Sequence, residues 1–179
     1  FIYQLNNQPM SSDDKSDSLK KGKESLEGYY DEYRDSWNRN LLTEYAIKIP
    51  DFKIVSDLSI VLTGKLDKIE LIDEINVAVI DYKTSKPKSR NDIEGKTKSA
   101  NGNYKRQLVF YQLLLNRDKR YKMNSGVIDF VEPNERSKYK KEQFIISADE
   151  IKELEELIRE CADSIVSLKF SKKTCNNKD

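Results

Sequence analysis

The spacing of apolar residues changes along the chain, and each change predicts a new element of secondary structure. From Asp17 to Leu41 the apolar positions fall at helical intervals, which predicts one amphipathic helix. We expect its aromatic stripe to pack into the core rather than to bind a ligand. The stripe consists of Leu19, Leu26, Tyr30, Tyr33, Trp37 and Leu41.

Three strands are predicted after this helix. The first covers Thr43–Ile49 and ends at Pro50, the second covers Ser59–Leu71, and the third covers Asn76–Lys83. Residues 72–75, Ile-Asp-Glu-Ile, form the expected hairpin turn between the last two strands.

The rest of the chain adds a loop, two helices and a hairpin. A polar stretch containing prolines and glycines predicts a long loop over residues 84–102, and the apolar stretch at about 103–117 predicts a buried helix. A strand over Gly126–Val131, an antiparallel partner over Tyr139–Ile146, and a helix opened by the Ser147–Glu150 capping box follow. The expected fold is α/β: a helix, a three-stranded antiparallel meander, a helix and a strand, with an added C-terminal hairpin strand and helix.

These patterns divide the 179 residues into a flexible arm (1–16), one domain (17–170) and a polar tail (171–179). No apolar run approaches the ~20 residues of a membrane span, and we see no signal peptide. Because the chain does not start with methionine, we expect it to be a domain of a longer protein. The only two cysteines, Cys161 and Cys175, fit a reduced, cytoplasmic protein, with Cys161 in the core.

Histidine is absent from the whole sequence. This excludes serine–histidine triads, cysteine–histidine dyads and histidine-based metal sites. Hydrolytic chemistry would have to use carboxylates, lysine, tyrosine and a metal ion.

The two strands around residues 72–75 bring two aspartates together. If the hairpin is centred on Glu74, Asp67 faces Asp81 and Lys65 faces Lys83, all on one face. Directly opposed residues have Cβ atoms about 5 Å apart, so one Mg²⁺ or Mn²⁺ ion could bridge both carboxylates. A slip of one residue would separate them onto opposite faces.

Further residues extend this site. Lys83 lies close enough to neutralise a phosphate or orient water, and the Tyr82 backbone carbonyl could be another metal ligand. Gln107 and Tyr111 share one face of the following helix and suggest a polar cluster, although a Gln at the helix edge and a Tyr in the core is the alternative. An Asp-x-Lys also arises by chance in a chain with 32 basic and 31 acidic residues.

Positive charge is concentrated directly after the third strand. A flexible basic loop beside two carboxylates suits a polyanionic substrate such as DNA, whereas an ordinary solvated loop is the alternative. The candidate DNA-binding residues are Lys65, Lys86, Lys88, Arg90, Lys96, Lys98, Lys105 and Arg106.

Three motifs resemble the PD-(D/E)XK nuclease superfamily, in particular the RecB-type nuclease domain fused to UvrD-like superfamily 1 helicases. Residues 64–69 (Gly-Lys-Leu-Asp-Lys-Ile) are similar to its G-x-x-D-R-I motif, and residues 79–84 (Val-Ile-Asp-Tyr-Lys-Thr) to its I-D-Y-K-T motif. Residues 107–111 (Gln-Leu-Val-Phe-Tyr) are similar to its Q-x-x-x-Y motif. The resemblance covers about residues 17–170 and implies a restriction-endonuclease-like core.

The resemblance also implies roles for these residues. Asp67 and Asp81 would be metal ligands, Lys83 the catalytic lysine, and Gln107 and Tyr111 would line the site. The family often has a metal-binding His or Glu on its first helix, where this chain has Leu26. The substitutes left open are Glu24, Glu27 and Glu44.

Some relatives hold an iron–sulfur cluster. Four cysteines are needed and only two exist, so we expect no such cluster here.

Three functions are therefore compared. The first is a Mg²⁺-dependent deoxyribonuclease, expected to be an exonuclease, working with a superfamily 1 helicase motor in DNA repair or recombination. The second is a catalytically inactive DNA-binding module of the same fold, and the third is a helicase-docking domain without DNA contact. Metal affinity separates the first from the others, and salt-dependent DNA binding separates the second from the third.

Overall fold

The computed structural model describes residues 2–169 and has one five-stranded sheet in the order β1-β2-β3-β4-β5. Strands β3 and β4 are parallel, and every other neighbouring pair is antiparallel. The predicted α/β fold class is therefore confirmed. The elements are α1 (Ile2–Asn6), α2 (Ser12–Tyr33), β1 (Leu41–Val55), β2 (Leu58–Leu71), β3 (Asn76–Lys83), α3 (Arg90–Ile93), α4 (Asn103–Asp118), β4 (Lys122–Phe130), β5 (Lys140–Phe144) and α5 (Ala148–Val166).

The β2–β3 hairpin has the predicted register. Ile69 pairs with Val79, and Leu71 pairs with Val77. Asp73 closes the turn, because its Oδ1 accepts hydrogen bonds from the backbone N–H groups of Ile75 and Asn76 at 2.9 and 2.7 Å. The hairpin thus brings the ends of β2 and β3 that carry the aspartates to the same side of the sheet.

Helix α4 forms the buried crossover between the parallel strands β3 and β4. Leu108, Leu114 and Leu115 have no solvent exposure, as expected for a helix that is apolar on most sides. The helix lies so close to β2 that a Cβ atom built on Gly64 would overlap the Leu114 side chain. Glycine at this position therefore fixes the distance between α4 and the sheet.

The prediction for the first strand is wrong at its C-terminal end, because β1 continues through Pro50 to Val55. The pairing with β2 shifts between Ile49 and Phe52, so Pro50 lies at an irregularity in the ladder. Strand β1 is at the edge of the sheet, where a residue without an N–H donor costs no interior hydrogen bond.

The prediction for the first helix is also partly wrong. Helix α2 begins at Ser12, inside the expected arm, and ends at Tyr33, with a 3₁₀ turn at Arg34–Ser36 before the strand. Its N-terminus is capped by the Ser11 side chain, which accepts from the Asp14 N–H at 3.1 Å. A side-chain cap therefore starts the helix before its apolar pattern begins.

The aromatic stripe of α2 does not form a core. Tyr29 is the buried residue of this helix, whereas Leu19, Leu26, Tyr30 and Trp37 are exposed. Helix α2 instead passes close to Tyr139, the residue before β5, through a small residue, since a Cβ on Gly28 would overlap the Tyr139 hydroxyl. The spacing of apolar residues therefore predicted the helix correctly, but it did not predict which face of the helix packs on the sheet.

The C-terminal half follows the prediction closely. Strand β5 pairs antiparallel with β4, and Ser147 and Glu150 form the predicted capping box at the start of α5. Cys161 is exposed on this helix, which corrects its expected place in the core, and Cys175 lies outside the described residues. In the part of the chain described here, no helix is long and apolar enough to cross a membrane.

Candidate active site

Asp81 lies near the C-terminal end of β3 and is 1% exposed. Its Oδ1 accepts a hydrogen bond from the Tyr111 hydroxyl at 3.1 Å, and the Lys83 Nζ lies 2.5 Å from its Oδ2. Oδ2 is buried, and the Lys83 ammonium group is its charged partner. A carboxylate oxygen has two lone pairs, so Oδ2 can accept a second contact from a cation.

Lys83 connects the strand to helix α4. In addition to its contact with Asp81, its Nζ donates to Gln107 Oε1 at 2.7 Å. Its side chain is 16% exposed, so the ammonium group is held in place but still reaches solvent. The lysine can therefore contact a ligand that approaches this edge of the sheet.

Gln107 and Tyr111 close a ring of contacts around these two residues. Gln107 Nε2 donates to the Tyr111 hydroxyl at 2.6 Å, and that hydroxyl in turn donates to Asp81. The two side chains are one helical turn apart, so α4 presents them together. The structure thus brings together four of the sequence-predicted residues in one cycle of polar contacts.

Asp67 joins the site through its side chain. The backbone pairing of β2 with β3 ends at Lys68 and Ile80, and beyond it Asp67 Oδ2 accepts from the Tyr82 N–H at 3.0 Å. The predicted opposition of Lys65 to Lys83 is not present, since the pairing ends before these residues, and Lys65 forms a salt bridge with Glu44 of β1. Asp67 is therefore fixed beside Asp81 while its neighbour Lys65 faces another strand.

Burial raises the pKa of the Asp81 carboxyl. Lys83 and Tyr111 oppose this shift, and the nearby Asp67 charge adds to it. Burial also raises the pKa of the Tyr111 hydroxyl, with the Asp81 charge as the next cause, so the tyrosine stays a hydrogen-bond donor. Because the Asp67 charge makes ionisation of Asp81 more costly, a cation bound between the two carboxylates is favourable.

The donor set fits a hard divalent cation in part. Asp67 and Asp81 supply carboxylate oxygens, Asp81 Oδ2 is buried against the Lys83 ammonium group, and the Tyr82 carbonyl is the backbone acceptor expected beside them. Among residues 2–169, however, no three His, Cys, Asp or Glu residues gather in a metal-binding group. A cation here would complete its coordination with water or substrate oxygens.

The three candidate glutamates lie in different places. Glu27 pairs with Lys23 on α2, and Glu44 pairs with Lys65 at the sheet edge. Glu24 lines a cavity of about 560 Å³ between α2 and Tyr139. Which of them, if any, completes a metal site stays a prediction.

Most of the expected DNA-binding cations have an acidic partner. The ion pairs join Lys65 to Glu44, Lys86 to Glu135, Arg90 to Glu94 and Glu142, Lys96 to Glu94, and Lys105 to Glu150. Lys88, Lys98 and Arg106 have no salt bridge within residues 2–169. The positive field of this loop is therefore weaker than its basic residues alone indicate.

A second buried carboxylate was not identified from the sequence. Asp129 of β4 is 1% exposed, and its Oδ2 accepts from the Tyr29 hydroxyl at 2.5 Å and lies 3.1 Å from Lys141 Nζ. Asp129 is paired with Tyr82, whose side chain points away from the site. The only sequence signal was a repeated Val-Ile-Asp, at residues 79–81 and 127–129.

Tyr104 was also missed. It lies in the first turn of α4, three residues before Gln107, and its ring contacts Lys83 at 4.7 Å from Nζ to the ring centroid. The i, i+3 spacing to Gln107 was the available signal.

Comparison with known proteins identifies the family. The model of the PD-(D/E)XK nuclease superfamily matches residues 5–176. No curated protein sequence matches the chain.

Two solved structures are similar to this chain, and the first of them supports the same fold. One is a candidate exonuclease from Eubacterium rectale (12% identity, 89% of this chain covered, TM-score 0.53), and the other is SSO0001 (18% identity, 82% covered, TM-score 0.46). The chain spans 58% of the length of each. With the family match over nearly all of its residues, the chain belongs to the PD-(D/E)XK nuclease superfamily.

Proposed function

We propose that this chain is a metal-dependent deoxyribonuclease domain that hydrolyses phosphodiester bonds. The observation that carries the proposal is the closed ring of Asp81, Lys83, Gln107 and Tyr111, with Asp67 fixed beside it. Each member of the ring holds the next, so the reacting groups are positioned before substrate arrives. Such preorganised electrostatics accounts for a large part of enzymatic rate enhancement.

The roles of the residues follow from their contacts. Asp67 and Asp81 would hold the cation, Mg²⁺ or Mn²⁺, which supplies Lewis acidity and an acidified water molecule when bound. Lys83 donates to a non-bridging oxygen of the scissile phosphate and stabilises its developing charge. Gln107 keeps the lysine oriented, and Tyr111 keeps the Asp81 carboxylate oriented.

The biological setting is a further part of the proposal. We infer an intracellular exonuclease that works with a superfamily 1 helicase motor in DNA repair or recombination and acts on single strands or duplex ends. The resemblance of the three motifs to helicase-fused nuclease domains supports this inference. The exonuclease description of the Eubacterium rectale protein agrees with it.

Cleavage of labelled DNA tests the proposal. Single-stranded and duplex substrates are incubated with the chain in Mg²⁺, Mn²⁺ or EDTA, beside Asp81→Ala, Lys83→Ala and the matched surface control Lys152→Ala. We expect metal-dependent cleavage that both site variants lose and the control retains. Cleavage that persists in EDTA, or in either site variant, would contradict the assignment.

A catalytically inactive DNA-binding module is the second candidate. One observation favours it, namely that no third acidic side chain joins Asp67 and Asp81 within residues 2–169. This candidate predicts salt-dependent DNA binding without cleavage in any divalent metal, and no metal-dependent shift in thermal stability. A shift with Mn²⁺ that Asp67→Asn abolishes would exclude it.

A further inference from the structure

The ring of Tyr104 links two lysines at the edge of the site. Its centroid lies 4.7 Å from Lys83 Nζ and 4.6 Å from Lys88 Nζ. The ring is half-buried, and Phe130 of β4 supports it at a centroid distance of 6.2 Å. An aromatic face attracts ammonium groups, so Tyr104 holds two positive charges no more than about 9 Å apart.

Lys88 is presented from an anchored segment although it lies in a polar loop. Its carbonyl accepts from Lys140 Nζ at 2.9 Å. The next residue, Ser89, forms a capping box with Asp92 at the start of α3, and the buried Ile93 ties that helix to the core. The backbone that carries the Lys88 side chain is therefore constrained on both sides.

The segment is held from the side of β5 as well. Arg90 lies over the Phe144 ring at 4.2 Å, and its Nη1 donates to the Gln143 carbonyl at 3.0 Å and to Glu142 at 3.1 Å. Preorganisation of this kind lowers the ordering cost when a ligand binds. A charged side chain on such a segment is better suited to a fixed contact than one on a free loop.

Unlike most basic residues around it, Lys88 has no acidic residue as an ion-pair partner within residues 2–169. Lys86, Lys96 and Lys105 each lie on a glutamate, whereas Lys88 has no carboxylate within salt-bridge distance among residues 2–169. Its ammonium group is exposed beside Lys83, the residue assigned to the scissile phosphate. The Asp92 carboxylate lies near enough to interact with the Lys88 charge, but no ion pair occupies the ammonium group, so it can still contact an anion.

We propose that Lys88 binds the backbone phosphate next to the scissile one on a nucleic-acid strand, and that Tyr104 is the positioning residue that holds Lys88 for this contact. The proposal rests on the proposed nuclease function, because Lys83 defines the scissile phosphate. A strand carries one negative charge per nucleotide, so two ammonium groups at this separation can face neighbouring phosphates. The pair would set the path of the strand into the site.

A double-mutant cycle on DNA binding tests the proposal. Binding of a labelled oligothymidylate is measured by fluorescence anisotropy in EDTA over a series of NaCl concentrations. The variants are Lys88→Ala, Tyr104→Leu, their combination, and Tyr104→Phe, which keeps the aromatic ring. The same cycle with Lys86→Ala, a neighbouring lysine that lies on Glu135, is the matched control.

The expected result has three parts. Lys88→Ala lowers the magnitude of the salt slope by about 0.7, the value for one phosphate contact on a single strand. Tyr104→Leu weakens binding about twofold to fivefold in the presence of Lys88, but has a smaller effect once Lys88 is alanine. Tyr104→Phe binds like the unmodified chain, and the Lys86 cycle shows additive effects.

Failure of this inference and failure of the proposed function give different results. If the unmodified chain shows no salt-dependent DNA binding, the nuclease proposal itself fails. If it binds but Lys88→Ala leaves the salt slope unchanged, or the Lys88–Tyr104 cycle is additive, only the assignment of Lys88 and Tyr104 is overturned. The slope of Lys88→Ala decides the question even if Tyr104→Leu does not fold, which thermal unfolding reveals.

Discussion

Two buried aspartates on neighbouring strands each contact one tyrosine and one lysine, but they lie on opposite faces of the sheet. Asp81 contacts Tyr111 of α4 and Lys83, and Asp129 contacts Tyr29 of α2 and Lys141. Both follow Val-Ile, yet the parallel pairing places Asp81 opposite Ile128 and Tyr82 opposite Asp129. Because side chains alternate along a strand, this offset of one residue sends the two carboxylates to different faces.

The surroundings of the two carboxylates differ in what lies next to them. Asp81 has a second carboxylate, Asp67, beside it. The partners of Asp129 lie against aromatic rings, with Lys141 Nζ 3.7 Å from the Tyr33 ring centroid and Tyr29 edge-on to Tyr82. Solvent access does not separate the two clusters, since the Lys141 side chain is 37% exposed and the Lys83 side chain 16%. The neighbouring Asp67 is therefore the difference on which we base the proposed assignment of the metal site to Asp81.

The largest expected contrast is in DNA cleavage by Asp81→Asn and Asp129→Asn. Loss of a metal-ligand charge at Asp81 should lower kcat about 10²- to 10³-fold or more. Asp129→Asn should change kcat less than about threefold, since Asp129 faces the other side of the sheet. Equal losses in both variants, measured under saturating Mg²⁺ with folded protein, would show that the two clusters share one role.

The effects on stability should have the opposite order, with Asp129→Asn more destabilising than Asp81→Asn. Asp129→Asn is expected to lower the free energy of unfolding by about 1–3 kcal/mol, because the new amide buries an N–H group where Asp129 Oδ1 has no partner. Asp81→Asn also places an amide at a buried oxygen, but it should cost less because it removes the repulsion between Asp81 and Asp67. Urea unfolding in EDTA measures both values, and a larger loss for Asp81→Asn would refute the contrast.

Metal binding should distinguish the Asp81 cluster from the Asp129 cluster further. A divalent cation at ten times its Kd stabilises a one-site protein by about 1.4 kcal/mol, which raises the Tm of a chain of this size by about 3–6 °C. We expect Mn²⁺ to give this shift in the unmodified chain and in Asp129→Asn, but not in Asp67→Asn or Asp81→Asn. The same shift in all four proteins would place the metal elsewhere.

The smallest expected effect is on the pH dependence of stability. The folded state raises the pKa of Asp81 above its ordinary value of 3.8, so the folded chain binds this proton more readily than the unfolded chain. The contribution of Asp81 to the free energy of unfolding therefore falls as pH rises from 3.8 through the folded pKa. The stability difference between the unmodified chain and Asp81→Asn, both in EDTA, should decrease over that range; a difference that increases would reverse the assigned sign.

The local parts of this comparison could be predicted from the sequence. The register of the β2–β3 hairpin follows from a short turn and alternating apolar residues, and it placed Asp67 and Asp81 together. Helical spacing placed Gln107 and Tyr111 on one face, and the family resemblance assigned them to the site. These predictions depend on contacts between residues joined by short connections, where few arrangements compete.

The remaining parts depend on contacts between distant segments. The pairing of β4 with β3 determines the face of Asp129, and no local pattern reports the register of a parallel pair joined by a helix. The exposed stripe of α2 was misassigned because periodicity shows that apolar residues share a face but not what covers it. The acidic partners of the basic loop come from α5, β5 and other segments, so its charge balance required the fold.

Gly64 controls the distance between α4 and β2, on which the geometry of the site depends. Its missing side chain lets α4 rest on β2, and the Leu114 side chain above it is fully buried. One added methyl group would act as a spacer that lifts the helix carrying Gln107 and Tyr111 away from the strand carrying Lys83 and Asp81. We therefore expect Gly64→Ala to lower the proposed nuclease activity by widening this distance, although no side chain of the site is replaced.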